Sequence, residues 1–446
     1  MLNTMLQAID GYKDPILAAE RHIWKNPETG YKEWKTHAYM KEHFEALGYT
    51  VTEAGNIPGF WTDVDTGRPG PTIAVFGEMD SLIIPTHPEC DPATGNVHAC
   101  GHHCQCAALL GIAAGLKAPG ALDGLVGRIR LIAVPAEELI EVGWRRQLKE
   151  QGVIRYLGGK QEFMYRGVLD GVDMSFMVHT SSGTKFGCNN GSNGCSIKEV
   201  VFTGKAAHAG GAPHLGNNAL YAANCAMQTA NALRETFRDN DHIRFHPIIT
   251  EGGAAVNAIP DRVVVESYVR GATMSAIIRE NDKINRAFAG SAAALGCSAQ
   301  LWDHHGYAPR EYDANLKEVC RQAGIAVMGE EQVTFDNSWG TGCSDMGDVS
   351  CVMPALHPYM GGASGTSHTS GYTIVDPVRA CVDSAKVQCS ILEQLLGQDA
   401  AAAKKILAEG RQDYPTIPEY LASVDRLCKD QPLVCYHEDG TVSLHI

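Results

Sequence analysis

Three short apolar runs constrain this chain more than any other feature: Thr72–Phe76, Ile129–Val134 and Met174–Val178. None alternates polar with apolar residues, so each reads as a strand buried on both faces. Such strands belong to a mostly parallel sheet covered by helices. Each run stops at groups able to do chemistry: Glu78 and Asp80, then Glu137 and Glu138, then His179. In open α/β sheets ligands gather at the carboxyl ends of strands, so these three ends point to one site.

The rest of the chain divides around that sheet. Residues 12–47 read as helix, with Ile16, Ala19, Ile23, Met40, Phe44 and Leu47 in helical spacing around the Asn26-Pro27 break. A Gly/Asn-rich stretch at 187–194 marks a hinge, and the pattern changes beyond it. Strand Ile197–Thr203, a helical stripe from Leu220 to Phe237, strands Ile243–Ile249 and Val263–Val269, a stripe from Ile277 to Leu295, and strand Ser298–Asp303 follow in turn. That order is β-α-β-β-α-β, the split βαβ arrangement. The expected fold class is therefore α/β. A mostly parallel-sheet domain spans 1–189 and 306–446, and an α+β domain is inserted at 190–305. Ala400–Ala403 and the alternating charges around them read as a solvated helix.

Composition excludes several function classes. The 446 residues hold 37 Lys and Arg against 51 Asp and Glu, a formal charge of −14, with no basic run. Neither nucleic acid nor an anionic membrane surface is an expected partner. No apolar stretch reaches the ~18 residues of a membrane span. The opening MLNTMLQAIDGYKD lacks the basic-then-apolar order of a secretory signal. Fifteen scattered cysteines fit reduced thiols, so a cytoplasmic location is expected.

The densest chemical cluster is His98-Ala99-Cys100-Gly101-His102-His103-Cys104-Gln105-Cys106, just ahead of an Ala/Leu-rich helix. A helix N-terminus favours thiolate, and thiolate ligates metal, so Cys100 and His102 can serve one ion. Two alternatives stay open: cysteines that merely fill a core, or a structural zinc on Cys100, Cys104 and Cys106. Pro135-Ala136-Glu137-Glu138 sets two carboxylates side by side at a strand end. Either a metal neutralises one or one holds a proton, and metal hydrolases use both roles. Otherwise the pair is a solvated loop. Asp80 can orient a ligand histidine from behind, or be a turn residue. His179 ends a strand, His208 lies in Gly204–Ala209, and His368 lies in the Gly/Ser loop 361–371. Loop histidines on a rigid scaffold are candidates for function.

Taken in order, these segments resemble the aminoacylase/carboxypeptidase-type family of two-metal amidohydrolases. The nearest branch is that of hippurate, indole-acetyl-amino-acid and aminobenzoyl-glutamate hydrolases, together with β-alanyl-dipeptidases. The resemblance rests on Asn26-Pro27-Glu28, His98–His102, Pro135–Glu138, Gly204–Pro213, Gly252–Pro260 with Arg270, and Ser344–Ser350 with the loop to His368. It implies two divalent ions per subunit, zinc or manganese. Cys100 would bridge them, with His102, Glu138, His179 and His368 completing the ligands. Glu137 would be general base and then acid, and Asp80 would orient a ligand histidine. His208 would reach the site from the lid of a partner subunit, and Asn257 and Arg270 would hold the substrate carboxylate. The implied activity is hydrolysis of the amide bond of N-acyl amino acids or small dipeptides by a homodimer or higher homo-oligomer. Two further readings are a non-catalytic or regulatory subunit of a heteromeric amidohydrolase, and a zinc-stabilised binding protein. The chain departs from the branch at Glu78-Met79, at His103, where Asp or Asn is usual, and in the insert Pro85–Asn96.

Overall fold

The computed structural model describes residues 1–410 and 412–445. The chain forms two compact units. The larger comprises Met1–Gly191, Glu311–Trp339 and Ser344–Pro418; the smaller comprises Ser192–Arg310, Gly340–Cys343 and the stretch from Glu419 onward.

The larger unit is built on a six-stranded sheet. The strand Thr72–Glu78 lies parallel between Arg128–Val134 and Met174–Phe176, and Ala355–Leu356 continues the parallel part. Phe60–Asp65 and Thr52–Glu53 close the other edge antiparallel. All seven residues of Thr72–Glu78 are buried, as an unbroken apolar run requires when helices cover both faces. The third run is shorter than expected: pairing stops at Phe176, and His179 opens a new strand, His179–Ser182. That strand joins a second sheet, parallel to Tyr359–Ser364, with His179 opposite Tyr359.

Every residue of the helix His102–Leu116 is buried. Its Ala, Cys, Gly and Leu side chains make it apolar all round, the mark of a helix inside a core. The expected helix over 12–47 is interrupted. Helices cover Lys13–Trp24 and Trp34–Ala46, and the Asn26-Pro27 break widens into a turn because the residue before a proline is pushed away from helix. A further helix, Leu2–Gly11, precedes them and buries Met5 and Ile9. The helix Ala401–Glu409 is not wholly solvated, since Ala403 and Ile406 enter the core.

The smaller unit has the β-α-β-β-α-β order. Its antiparallel sheet runs Arg244–Glu251, Arg262–Gly271, Gly194–Thr203, Ser298–Tyr307, with helices Ala219–Ala232 and Met274–Ala294 packed on it. The sheet is larger than expected. Lys429–Tyr436 pairs with Ser298–Tyr307, and Val442–Leu444 follows it. The assignment of all of 306–446 to the first domain is thus corrected at its end: Leu433 and Val434 are buried in this unit's core. Among the described residues no helix is long and apolar enough to cross a membrane.

Candidate active site

Strand ends and one helix N-terminus of the larger unit bring Asp80, Cys100, His102, Glu137, Glu138, His179 and His368 together. Gly101 makes the turn into the buried helix at φ +96°, and a Cβ there would lie 2.5 Å from the Tyr372 hydroxyl and 3.0 Å from Thr180. Glycine is the residue that fits such a left-handed, crowded position. Ala136 takes φ +59°, a conformation that costs an L-residue about 1–2 kcal/mol. Its N–H donates to the Glu33 carboxylate at 2.7 Å and its carbonyl accepts from Gly159 at 3.1 Å, which holds the turn that presents Glu137 and Glu138.

His102 is fully buried. Its Nδ1 faces the Asp80 carboxylate at 3.1 Å and the Asp80 carbonyl at 3.0 Å. Both are acceptors, so Nδ1 carries the hydrogen and Nε2 is the lone-pair nitrogen. Nε2 makes no hydrogen bond, and lies 3.2 Å from Glu78 and 3.9 Å from Glu137. The other Asp80 oxygen accepts from the Glu138 N–H at 2.7 Å. One carboxylate thus fixes both the imidazole and the Glu137-Glu138 backbone. Burial disfavours its charge, but the bond and charge of His102, the Glu138 N–H and Arg145 together outweigh that and hold Asp80 down to about 2.

Cys100 Sγ lies 3.5 Å from His179 Nε2, whose Nδ1–H donates to the Thr180 carbonyl at 2.7 Å. His368 Nε2 lies 3.2 Å from Glu138 Oε1. The His368 backbone is held at φ +65° while its N–H donates to the Ala99 carbonyl at 2.9 Å. Two donor triads result, Cys100–His102–His179 and Cys100–Glu138–His368, and they share the cysteine. Burial and Glu138 push the Cys100 thiol up, yet His102 and His179 draw it down to about 6. Soft sulfur, imidazole and carboxylate donors that meet around lone-pair atoms fit divalent transition metals such as zinc.

Glu137 is placed differently from its neighbour. Burial, then Glu78 and Glu138, raise its carboxyl well above the usual range, so it holds a proton readily. The side chain opposite Glu138 is His368, whose imidazolium is favoured by that carboxylate up to about 11.

Three buried groups beside the site carry no local signal in the sequence. Lys160 Nζ pairs with both Glu78 and Asp345, and Gln105 Nε2 donates to Glu78 at 2.8 Å. Arg145 donates to the Glu138 carbonyl and, at 2.9 Å, to the Leu157 carbonyl. Lys and Arg in a sequence read as solvated; only tertiary pairing shows otherwise.

The other three predicted residues belong to the smaller unit. His208 is exposed, and its Nδ1 accepts from the N–H groups of Gly210 at 3.1 Å and Gly211 at 2.9 Å, which leaves Nε2–H as a donor. Asn257 is exposed, and its carbonyl accepts from Ala209 at 3.0 Å. Arg270 lies across the sheet from Cys195, with its guanidinium 5.5 Å from the Tyr268 ring centre.

Comparison with known proteins accords with this architecture. Residues 189–291 match the peptidase dimerisation domain. The chain is 29% identical over 392 residues to the mouse Xaa-Arg dipeptidase, covering 82% of this chain and 81% of the relative. It is 30% identical over 302 residues to thermostable carboxypeptidase 2 of Saccharolobus solfataricus, covering 65% and 72%. A dinuclear metal-binding peptidase of Bacillus subtilis shares the fold at 19% identity, with a TM-score of 0.64 over 87% of this chain and 99% of that one. From its relatives and its dimerisation domain, the chain belongs to the M20 peptidase family and is a hydrolase of amide bonds.

Proposed function

We propose that this enzyme hydrolyses the amide bond of N-acyl amino acids or small dipeptides, using two divalent ions, zinc or manganese, held around Cys100. The observation that carries the reading is the pair of donor triads sharing Cys100, with the proton-accepting Glu137 beside them. His102 and His179 would hold one ion, Glu138 and His368 the other. Bound there, the ions supply polarisation of the scissile carbonyl and acidification of a water. Glu137 takes the water proton and returns it to the leaving nitrogen, a single carboxyl acting as base and then acid. Asp80 keeps His102 in the tautomer that presents Nε2.

His208, Asn257 and Arg270 complete the reading from the lid domain. The Nε2–H of His208 donates to the carbonyl oxygen as it gains charge, and the lid of a partner subunit supplies it in a homodimer. Asn257 and Arg270 hold the substrate carboxylate, for which a guanidinium is suited. The names of the relatives extend the substrate panel to Xaa-Arg dipeptides. Fifteen cysteines with none paired in a disulfide support a cytoplasmic setting.

The test combines metal analysis with turnover on acyl-amino acids, aminobenzoyl-glutamate, β-alanyl dipeptides and Xaa-Arg dipeptides. Glu137→Gln is expected to retain its metal and lose about 10²–10⁴-fold in kcat. Unchanged kcat in that variant would remove Glu137 from the mechanism. Turnover on no panel member by the metal-loaded protein would remove the substrate class.

A further inference from the structure

A second group of metal-ligating side chains lies apart from the two triads. Glu20 comes from the helix Lys13–Trp24, His103 and Cys104 from the first turn of the buried helix, and Cys381 from the π-helical segment Val378–Asp383. All four belong to the larger unit. Glu20 is 4% exposed, and the other three are completely buried.

The three polar atoms converge. His103 Nε2 lies 3.3 Å from Glu20 Oε1 and 3.4 Å from Cys104 Sγ, and the donor atoms of all three lie within 4.8 Å of one another. Cys104 also meets the Cys381 thiol. A tetrahedral zinc with bonds of about 2.0–2.3 Å sets its donors roughly 3.3–3.8 Å apart. One hydrogen on Nε2 cannot satisfy both an oxygen and a sulfur. The other nitrogen, Nδ1, is buried without a partner, so the polar interactions of the ring are all on the Glu20 and Cys104 side. Among the described residues the ion-pair partner of the Glu20 carboxylate is the His103 ring, and no Lys or Arg pairs with it. A buried carboxylate needs a cation or a full set of hydrogen bonds, and a divalent ion at this point would supply the cation.

We propose that Glu20, His103, Cys104 and Cys381 form a third, structural metal site that binds zinc. The converged oxygen, nitrogen and sulfur of Glu20, His103 and Cys104, with the Cys381 thiol beside Cys104 as the fourth donor, would give a closed coordination shell, which separates it from a catalytic site. Zinc entry breaks the S–H bonds of Cys104 and Cys381 and releases those protons to solvent, while the imidazole hydrogen sits on Nδ1. The site joins three segments far apart in sequence, and so fixes the helix whose first residue is His102.

The experiment is zinc content by mass spectrometry on protein purified without chelator, beside cobalt substitution. The wild-type chain is expected to carry about three ions, two at the Cys100 pair and one here. Cys104→Ser is expected to lower the content by one ion. Cobalt loaded into Cys100→Ser is expected to show a near-ultraviolet sulfur-to-cobalt charge-transfer band, which disappears when Cys104 and Cys381 are both also replaced by Ser. Removing Cys100 takes sulfur out of the catalytic pair, so the band in Cys100→Ser reports on this site even if variants of Cys104 fail to fold. A wild-type content of two or fewer, no such band in folded Cys100→Ser, or a band that survives loss of Cys100, Cys104 and Cys381 together would each overturn the site. A content of two with full turnover would leave the catalytic reading standing while this one fails.

Discussion

His37 illustrates how one buried side chain gives the fold a pH dependence of its own. It is 5% exposed, and its Nδ1 accepts the Gly59 N–H at 2.9 Å, so the ring is neutral in the fold. Burial lowers its pKa; Lys41 adds to that and Glu53 opposes it. The unfolded chain takes up a proton near pH 6.5 that the folded chain refuses. This contribution to stability is therefore complete above about 6.5 and is lost as the pH falls through the interval below. Denaturant midpoints at pH 8 and pH 5 are expected to separate in the wild type and to close up in His37→Gln. Equal separation in both would assign the acid sensitivity elsewhere. The residues of the candidate site that the larger unit brings together were legible one by one because strand ends, a Cys/His cluster and paired carboxylates leave local marks. Lys160 and Asp345 were not, because their burial depends on each other and on Glu78, far away in the sequence.

Helix packing at Gly111 shows the same logic for a whole element. A Cβ at Gly111 would meet Ala385 Cβ at 2.8 Å and Ile16 Cδ1 at 2.9 Å. The small residue lets the buried helix lie close to both Lys13–Trp24 and Ser384–Leu396. Gly111→Ala gains about 1 kcal/mol of helix propensity but overpacks this contact, at about 1–3 kcal/mol. The expected net effect is a small loss of stability, measured by urea unfolding. Adding Ala385→Gly is expected to recover part of it; no recovery would mean that the crowding lies against Ile16 alone. Apolar periodicity revealed the buried strands and both helical stripes of the smaller unit. It missed the second sheet of the larger unit, because His179–Ser182 is four residues of mostly polar character whose strand conformation comes from its partner, Tyr359–Ser364.

Across the whole molecule, the smaller unit draws on three separate stretches of chain. Its longest stretch, Ser192–Arg310, is the one whose strands and helices leave a local pattern in the sequence. The strand Lys429–Tyr436 escaped, because a pairing over more than a hundred residues leaves no local trace. Its removal has a definite consequence. Ending the chain before Glu419 strips Leu433 and Val434 from the core and bares one edge of Ser298–Tyr307. An open apolar edge recruits other chains, so the truncated protein is expected to elute as aggregates by size exclusion and to melt at a lower temperature. A monodisperse product with an unchanged melt would show that the last strands are dispensable. The same arrangement sets a clock on biosynthesis. A ribosome adding about 5–20 residues per second leaves the edge of Ser298–Tyr307 waiting on the order of ten seconds for its neighbour. During that interval the nascent smaller unit carries an unpaired sheet edge, a template on which other chains can pair.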